Sequence, residues 1–344
     1  MSKQAKQFLS LTLGLFLLVT AAGCGAKPAP KPAGGLKVIG FYEEAQASNP
    51  PSPFHNLKAY PNTLDYLAPF WYSVHNDGSV SSTANPQTAA FARKNGIKLM
   101  PLFTNAGGAY AFMQDPATRS RAIANIVNIV EKNGYSGASI DFQLLPPSAR
   151  QPLNTFVADL SNALKGKKKE ISADVIPADT NQGAHVAYDY AALAKHTHRI
   201  ILMTYDHHNN STSPGPVAPL PWVKAAVKAA IKAGVPPNQI VLGLADYGYD
   251  WSSAGVVTLP LKNVRRLERR LKITPTWDSV SKEAHFTYTD SKGVSHTVWY
   301  QGKRGLASRI ALAKRNKLWG MAIWRVGYEN KSYWKTLDKL LHKK

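Results

Sequence analysis

The sequence predicts an α/β protein in which eight parallel strands close into a (β/α)8 barrel, with a small α+β insertion between the seventh strand and the helix that follows it. Three observations carry that expectation. Short apolar runs alternate with stretches whose apolar residues recur at helical spacing, the rhythm of repeated strand and helix units. Successive runs mostly begin roughly 29 to 40 residues apart, the length of one strand, one helix and two short loops. The last interval, between the runs that begin at 239 and 318, is about twice as long and leaves about 50 residues for an inserted piece near 250–302. Eight such runs describe a TIM barrel.

Along the chain, Lys3 and Lys6 precede an apolar stretch from Phe8 to Val19 and then Ala21-Ala22-Gly23-Cys24. That order is expected of an export signal over 1–23 with a lipoprotein cleavage site, which makes Cys24, the only cysteine, the candidate for lipidation. Residues 24–35 lack apolar periodicity and carry three prolines, so they are expected to form an extended tether. The folded domain then runs over 36–344. Its strands are expected at Lys37–Tyr42, Tyr66–Trp71, Ile97–Phe103, Gly137–Gln143, Glu170–Val175, Arg199–Thr204, Gln239–Ala245 and Leu318–Trp324. Helical spacing is clearest at Ala117–Asn133, Pro147–Leu164, Leu220–Ala233, Gly305–Asn316 and Tyr333–Leu341. Inside the insertion, His285–Thr289 and His296–Tyr300 flank Asp290-Ser291-Lys292-Gly293 and predict a β-hairpin. The arginine-rich run Arg265–Lys272 places Leu267 and Leu271 on one helical stripe.

Composition narrows the function. With 44% apolar and 10% aromatic residues the chain is globular, and no second apolar run reaches bilayer-spanning length. The net charge is +21. For an exported protein this charge favours the membrane surface and anionic wall polymers as partners and argues against nucleic acid. No spacing among His185, His196, His198, His207 and His208 forms a ligand pattern such as His-Glu-x-x-His, so neither a metal nor a cofactor is expected.

In a barrel of this type reactive groups stand at the C-terminal strand ends. Strand four ends in Ser136-Gly137-Ala138-Ser139-Ile140-Asp141-Phe142-Gln143, and alternate residues of a strand share a face, so 139, 141 and 143 are expected to point one way. Strand six ends in Met203-Thr204-Tyr205-Asp206 and strand eight in Ala322-Ile323-Trp324. These segments resemble family 18 glycoside hydrolases, whose strand-four pattern is Asp-x-x-Asp-x-Asp-x-Glu. Further segments, Ala218-Pro219-Leu220-Pro221-Trp222-Val223 and Tyr247-Gly248-Tyr249-Asp250-Trp251 among them, resemble the spore-germination and cortex-lytic subgroup. The resemblance implies an N-acetylglucosamine polymer, peptidoglycan, cortex or chitin-like, as ligand. It implies that Asp141 and Tyr205 hold the acetamido group, that Asp206 binds the same sugar, and that Trp324 floors the subsite. Tyr42 and Tyr247 complete the expected sugar contacts. Gln143 departs from the pattern: it occupies the position of the general acid, and an amide donates hydrogen bonds but no proton. Three readings follow: a lipid-anchored glycan binder with little or no hydrolysis, an active glycosidase using a displaced acid such as Glu43, Glu44, Asp179 or Asp246, or a structural protein of the envelope.

Overall fold

The structure, a computed structural model, describes residues 35–44, 53–178 and 184–342. The expected leader, the tether and Cys24 lie outside them, as does Asp179. Eight parallel strands form the barrel: Lys37–Tyr42, Tyr66–Val74, a third in two pieces (Lys98–Leu99 and Leu102–Asn105), Gly137–Asp141, Glu170–Val175, Arg199–Leu202, Ile240–Ala245 and Gly320–Trp324. Each pairs with the next, and the eighth returns to the first with Lys37 beside Gly320, so the sheet closes. The third strand divides at Pro101, which has no N–H to give the ladder. The Met100 N–H to Leu67 carbonyl bond, at 2.9 Å, keeps the register across the break.

Helices follow the strands as the periodicity predicts, at Pro116–Lys132, Arg150–Leu164, Leu220–Lys232, Gly302–Arg315 and Lys331–His342. The first of them has a chemically marked start: Asp115 accepts the Thr118 N–H at 2.8 Å in front of Pro116. Helix Pro86–Lys94, capped by Asn85, was not foreseen, because its apolar stripe is short. The long final interval holds a five-stranded antiparallel sheet and helix Leu261–Leu271. The expected hairpin is present as Glu283–Thr289 and Ser295–Tyr300, turned by Asp290, whose carboxylate accepts the Lys292 and Val294 N–H groups at 2.8 and 2.9 Å. The sheet opens at Tyr247, earlier than the position near 250 expected from sequence, because Tyr247–Ser252 is itself a strand.

Two apolar layers position the site. Between barrel and helices lies the larger core, including Val38, Tyr42, Phe103 and Phe156. Inside the barrel the opposite faces of the same strands contribute Ile39, Phe41, Ala68, Leu102, Ile201, Val241 and Ala322. Strands four and five differ, presenting hydroxyls and carboxylates instead: Ser139 Oγ lies 2.6 Å from Ser172 Oγ and donates to Asp174 Oδ1 at 2.9 Å. At the other end of the barrel Arg199 stacks on Trp319, with its Cζ 4.0 Å from the ring centroid, and binds Glu170 at 2.6 Å and Tyr66 Oη at 3.1 Å. Lys98 donates to the same tyrosine oxygen at 3.1 Å.

Candidate active site

A cleft of about 290 Å³ opens where the strands end. Asp141 ends strand four and is 3% exposed. The strand stops there, so Gln143 stands just beyond it, not on it. Its backbone is held from the neighbouring strand: Asn105 Oδ1 accepts the Gln143 N–H at 2.7 Å, and Asn105 Nδ2 donates to the Gln143 carbonyl at 2.8 Å. This two-point grip aims the side chain inward, and Gln143 Nε2 donates to Asp141 Oδ1 at 2.7 Å. The same amide lies 3.7 Å from Met203 Sδ.

Asp174 is the third member of this group, and sequence reasoning missed it. The signal was available, because Ser172 and Asp174 alternate on strand five and Ser172 sits in register with Ser139. Burial drives the Asp141 carboxyl up to about 6, with the Gln143 hydrogen bond opposing, and drives Asp174 well above the carboxylate range, helped by the charge of Asp141. Two acids confined together in low dielectric resist ionising together. The sign of the pH effect follows. Between about pH 4 and pH 6 the unfolded chain gives up the Asp141 proton before the native protein does, so stability falls as pH rises through that window. Asp141→Asn is expected to flatten this slope and to melt at a higher temperature than wild type above pH 6. Melting curves from pH 4 to 8 with parallel slopes for the two proteins would refute the assignment.

Tyr205 and Asp206 follow strand six. Asp206 adopts a left-handed backbone, φ 61°, which turns its carboxylate toward the insertion. There Oδ1 accepts the Tyr247 hydroxyl at 2.5 Å and the Tyr249 hydroxyl at 2.8 Å. Burial raises the Asp206 carboxyl while these two hydroxyls oppose the rise. Trp324 closes the cleft, its ring stacked near Tyr205 (centroids 6.5 Å apart, planes at 28°) and met edge-on by Phe41 at 5.4 Å. Phe70, an exposed aromatic, lies 6.5 Å from Trp324 on the same side.

The structure thus brings Asp141, Gln143, Tyr205, Asp206 and Trp324 together in one cleft. Tyr42 is not among them. It points the other way along strand one, into the layer beneath the helices, and donates to Glu44 at 3.2 Å, while Phe41 lines the cleft. Tyr247 is buried behind Asp206 and supports that carboxylate instead of lining the cleft. Three of the acids considered as substitutes are also elsewhere. Glu43 pairs with Arg325, Glu44 accepts from Trp71 Nε1 at 3.1 Å and Asn85 Nδ2 at 3.1 Å, and Asp246 is fully buried outside the cleft. Among the described residues no group of three or more His, Cys, Asp or Glu could hold a metal ion.

The Glycosyl hydrolases family 18 profile matches residues 37–329. The chain belongs to glycosyl hydrolase family 18. Among curated proteins it is 28% identical over 303 residues to the uncharacterized glycosylase YvbX of Bacillus subtilis, covering 83% of this chain and 87% of that one. It is 26% identical over 297 residues to the cortical fragment-lytic enzyme of Bacillus anthracis, covering 80% of this chain and 67% of that enzyme. Among solved structures, a chitinase from Chromobacterium violaceum superposes with a TM-score of 0.82 at 25% identity, over 90% of this chain and 100% of that one. The spore cortex-lytic enzyme SleL of Bacillus cereus gives a TM-score of 0.82 at 24% identity, over 89% and 74%, a likeness of fold.

Proposed function

We propose that this family 18 protein holds a β-1,4-linked glycan containing N-acetylglucosamine, cortex peptidoglycan foremost, and hydrolyses it weakly or not at all. The observation that carries the reading is the amide of Gln143, held 2.7 Å from Asp141 where the family pattern has its acid. In the substrate-assisted scheme of the family the sugar's own acetamido oxygen attacks the anomeric carbon, so the protein must orient that group and protonate the leaving oxygen. In this reading Asp141 and Tyr205 orient that group, and Gln143 offers only a hydrogen bond to the bridging oxygen. Trp324, with Phe41 beside it, gives the apolar face of a pyranose a flat surface.

The test is binding of N-acetylglucosamine oligomers by the purified protein together with assay of released reducing ends. Binding without release supports the proposal, and Trp324→Ala is expected to weaken binding about tenfold, or about 1.4 kcal/mol. Steady release by wild-type protein would sink it. A second reading, residual glycosidase activity, is favoured by one observation: Asp141, with its carboxyl near 6, retains a proton under mildly acidic conditions. It requires release that follows the titration of Asp141.

Membrane attachment through a lipid on Cys24 is part of the same proposal and rests on the leader sequence alone. Labelled palmitate should enter the wild-type protein and not Cys24→Ala, and equal labelling of both would dismiss the anchor.

A further inference from the structure

A second cleft, of about 200 Å³, lies in the insertion and shares no lining residue with the first. It is walled by Trp277, with Arg304 Cζ 4.1 Å over the ring, and by Arg265, and its floor is the start of helix Gly302–Arg315. Three features of this cleft point to an anionic ligand. Gln301, immediately before the helix, is 1% exposed, yet neither its amide nitrogen nor its amide oxygen has a hydrogen-bond partner. The helix has no side-chain cap and no acid in its first turn; that turn carries Lys303 and Arg304, cations at the end of a helix that repels them. Among the described residues neither of these two forms an ion pair, whereas Arg265 is matched by Glu268 at 2.7 Å. Gly302, with φ 59°, keeps the approach open: a Cβ there would stand 3.0 Å from the Tyr300 ring and 3.7 Å from Arg265 Nη2.

We infer that this cleft binds a phosphate ester bearing a free hydroxyl group, the repeating unit of a polyol-phosphate polymer. The anionic oxygens meet Arg265, Lys303, Arg304 and the open N–H groups of the helix, a donor set suited to a tetrahedral oxyanion. The Gln301 amide nitrogen donates to the same group, and its carbonyl oxygen accepts from the hydroxyl. A simple carboxylate satisfies the cations and leaves that carbonyl without a donor. The site would tether the protein to an anionic polymer whether or not the barrel cleft cuts glycan.

The experiment titrates the full-length protein in mild detergent with glycerol 1-phosphate, followed by phosphorus NMR line broadening. Inorganic phosphate and acetate serve as comparison probes. Saturable binding of glycerol 1-phosphate is expected, tighter than that of inorganic phosphate and weakened about tenfold or more in the Lys303→Ala/Arg304→Ala double variant, whose positions are exposed and leave the fold intact. Gln301→Glu should weaken it as well, with oligosaccharide binding in the barrel unchanged in both variants. Absence of saturation, or equal binding by the double variant, overturns the site. Equal affinity for inorganic phosphate overturns the hydroxyl contact, and equal competition by acetate overturns phosphate recognition.

Discussion

Gln143→Glu should raise the rate of glycosidic cleavage by about 10²–10⁴, the span that a positioned general acid supplies. The geometry makes this expectation specific. The Asn105 grip acts on backbone atoms, so it survives the substitution and delivers the new carboxyl to the same place, 2.7 Å from Asp141 Oδ1. Two carboxyls that close share one proton, which makes the pair a weaker acid than a lone carboxyl and keeps a proton available near neutral pH. Oligosaccharide affinity should change little, because glutamate and glutamine have nearly the same shape. The measurement is reducing-end release from N-acetylglucosamine oligomers and cortex fragments by both proteins. If the variant stays as slow as wild type, the cleft is not arranged for catalysis and more than one side chain separates it from an active enzyme.

The second large effect concerns stability. Arg309→Ala should cost about 3–5 kcal/mol, the usual penalty for removing one partner of a buried ion pair, and lower Tm by roughly 5–10 °C. Arg309 and Glu283 are both inaccessible to solvent and meet at 3.1 Å. Glu283 also accepts the N–H groups of Val217 and Ala218 at 2.8 and 2.9 Å, while Arg309 donates to the carbonyls of Lys282 at 3.0 Å and of Ala218. Burial raises the Glu283 carboxyl even with the guanidinium beside it, so without Arg309 the acid is left unpaired in the interior. The pair fastens the insertion to the segment after strand six, which carries Asp206; Val217 accepts the His207 N–H at 2.9 Å. The variant should therefore also bind oligosaccharide less well. Urea unfolding decides the matter, and a loss below about 1 kcal/mol would show that the pair contributes no more than a surface bridge.

The barrel was legible because six of its strands are short apolar runs flanked by helical repeats, and because strands four and five kept the β rhythm despite their serines and acids. The cleft residues were legible as far as family likeness reached: Asp141, Tyr205, Asp206 and Trp324 do converge. What escaped depended on parity and on side chains reaching between strands. Val38-Ile39-Gly40-Phe41-Tyr42 is apolar on both faces, since one side meets the helices and the other the barrel interior, and no local pattern distinguishes Phe41 from Tyr42. Asn105 owes its importance to a partner 38 residues away, a distance over which spacing carries no information. Asp174 was readable from alternation, yet an acid on one strand does not announce which acid faces it from the adjacent one. The start of the insertion was misplaced for a related reason: Tyr247–Ser252 continues the apolar character of strand seven with scarcely a break.

The stack of Arg199 on Trp319, tied to Glu170 and Tyr66, has a topological corollary. It caps one end of an interior that side chains already fill, so a polymer that enters the cleft lies across the open rim. A long saccharide bound there would be gripped along its length from one side, with both of its ends free.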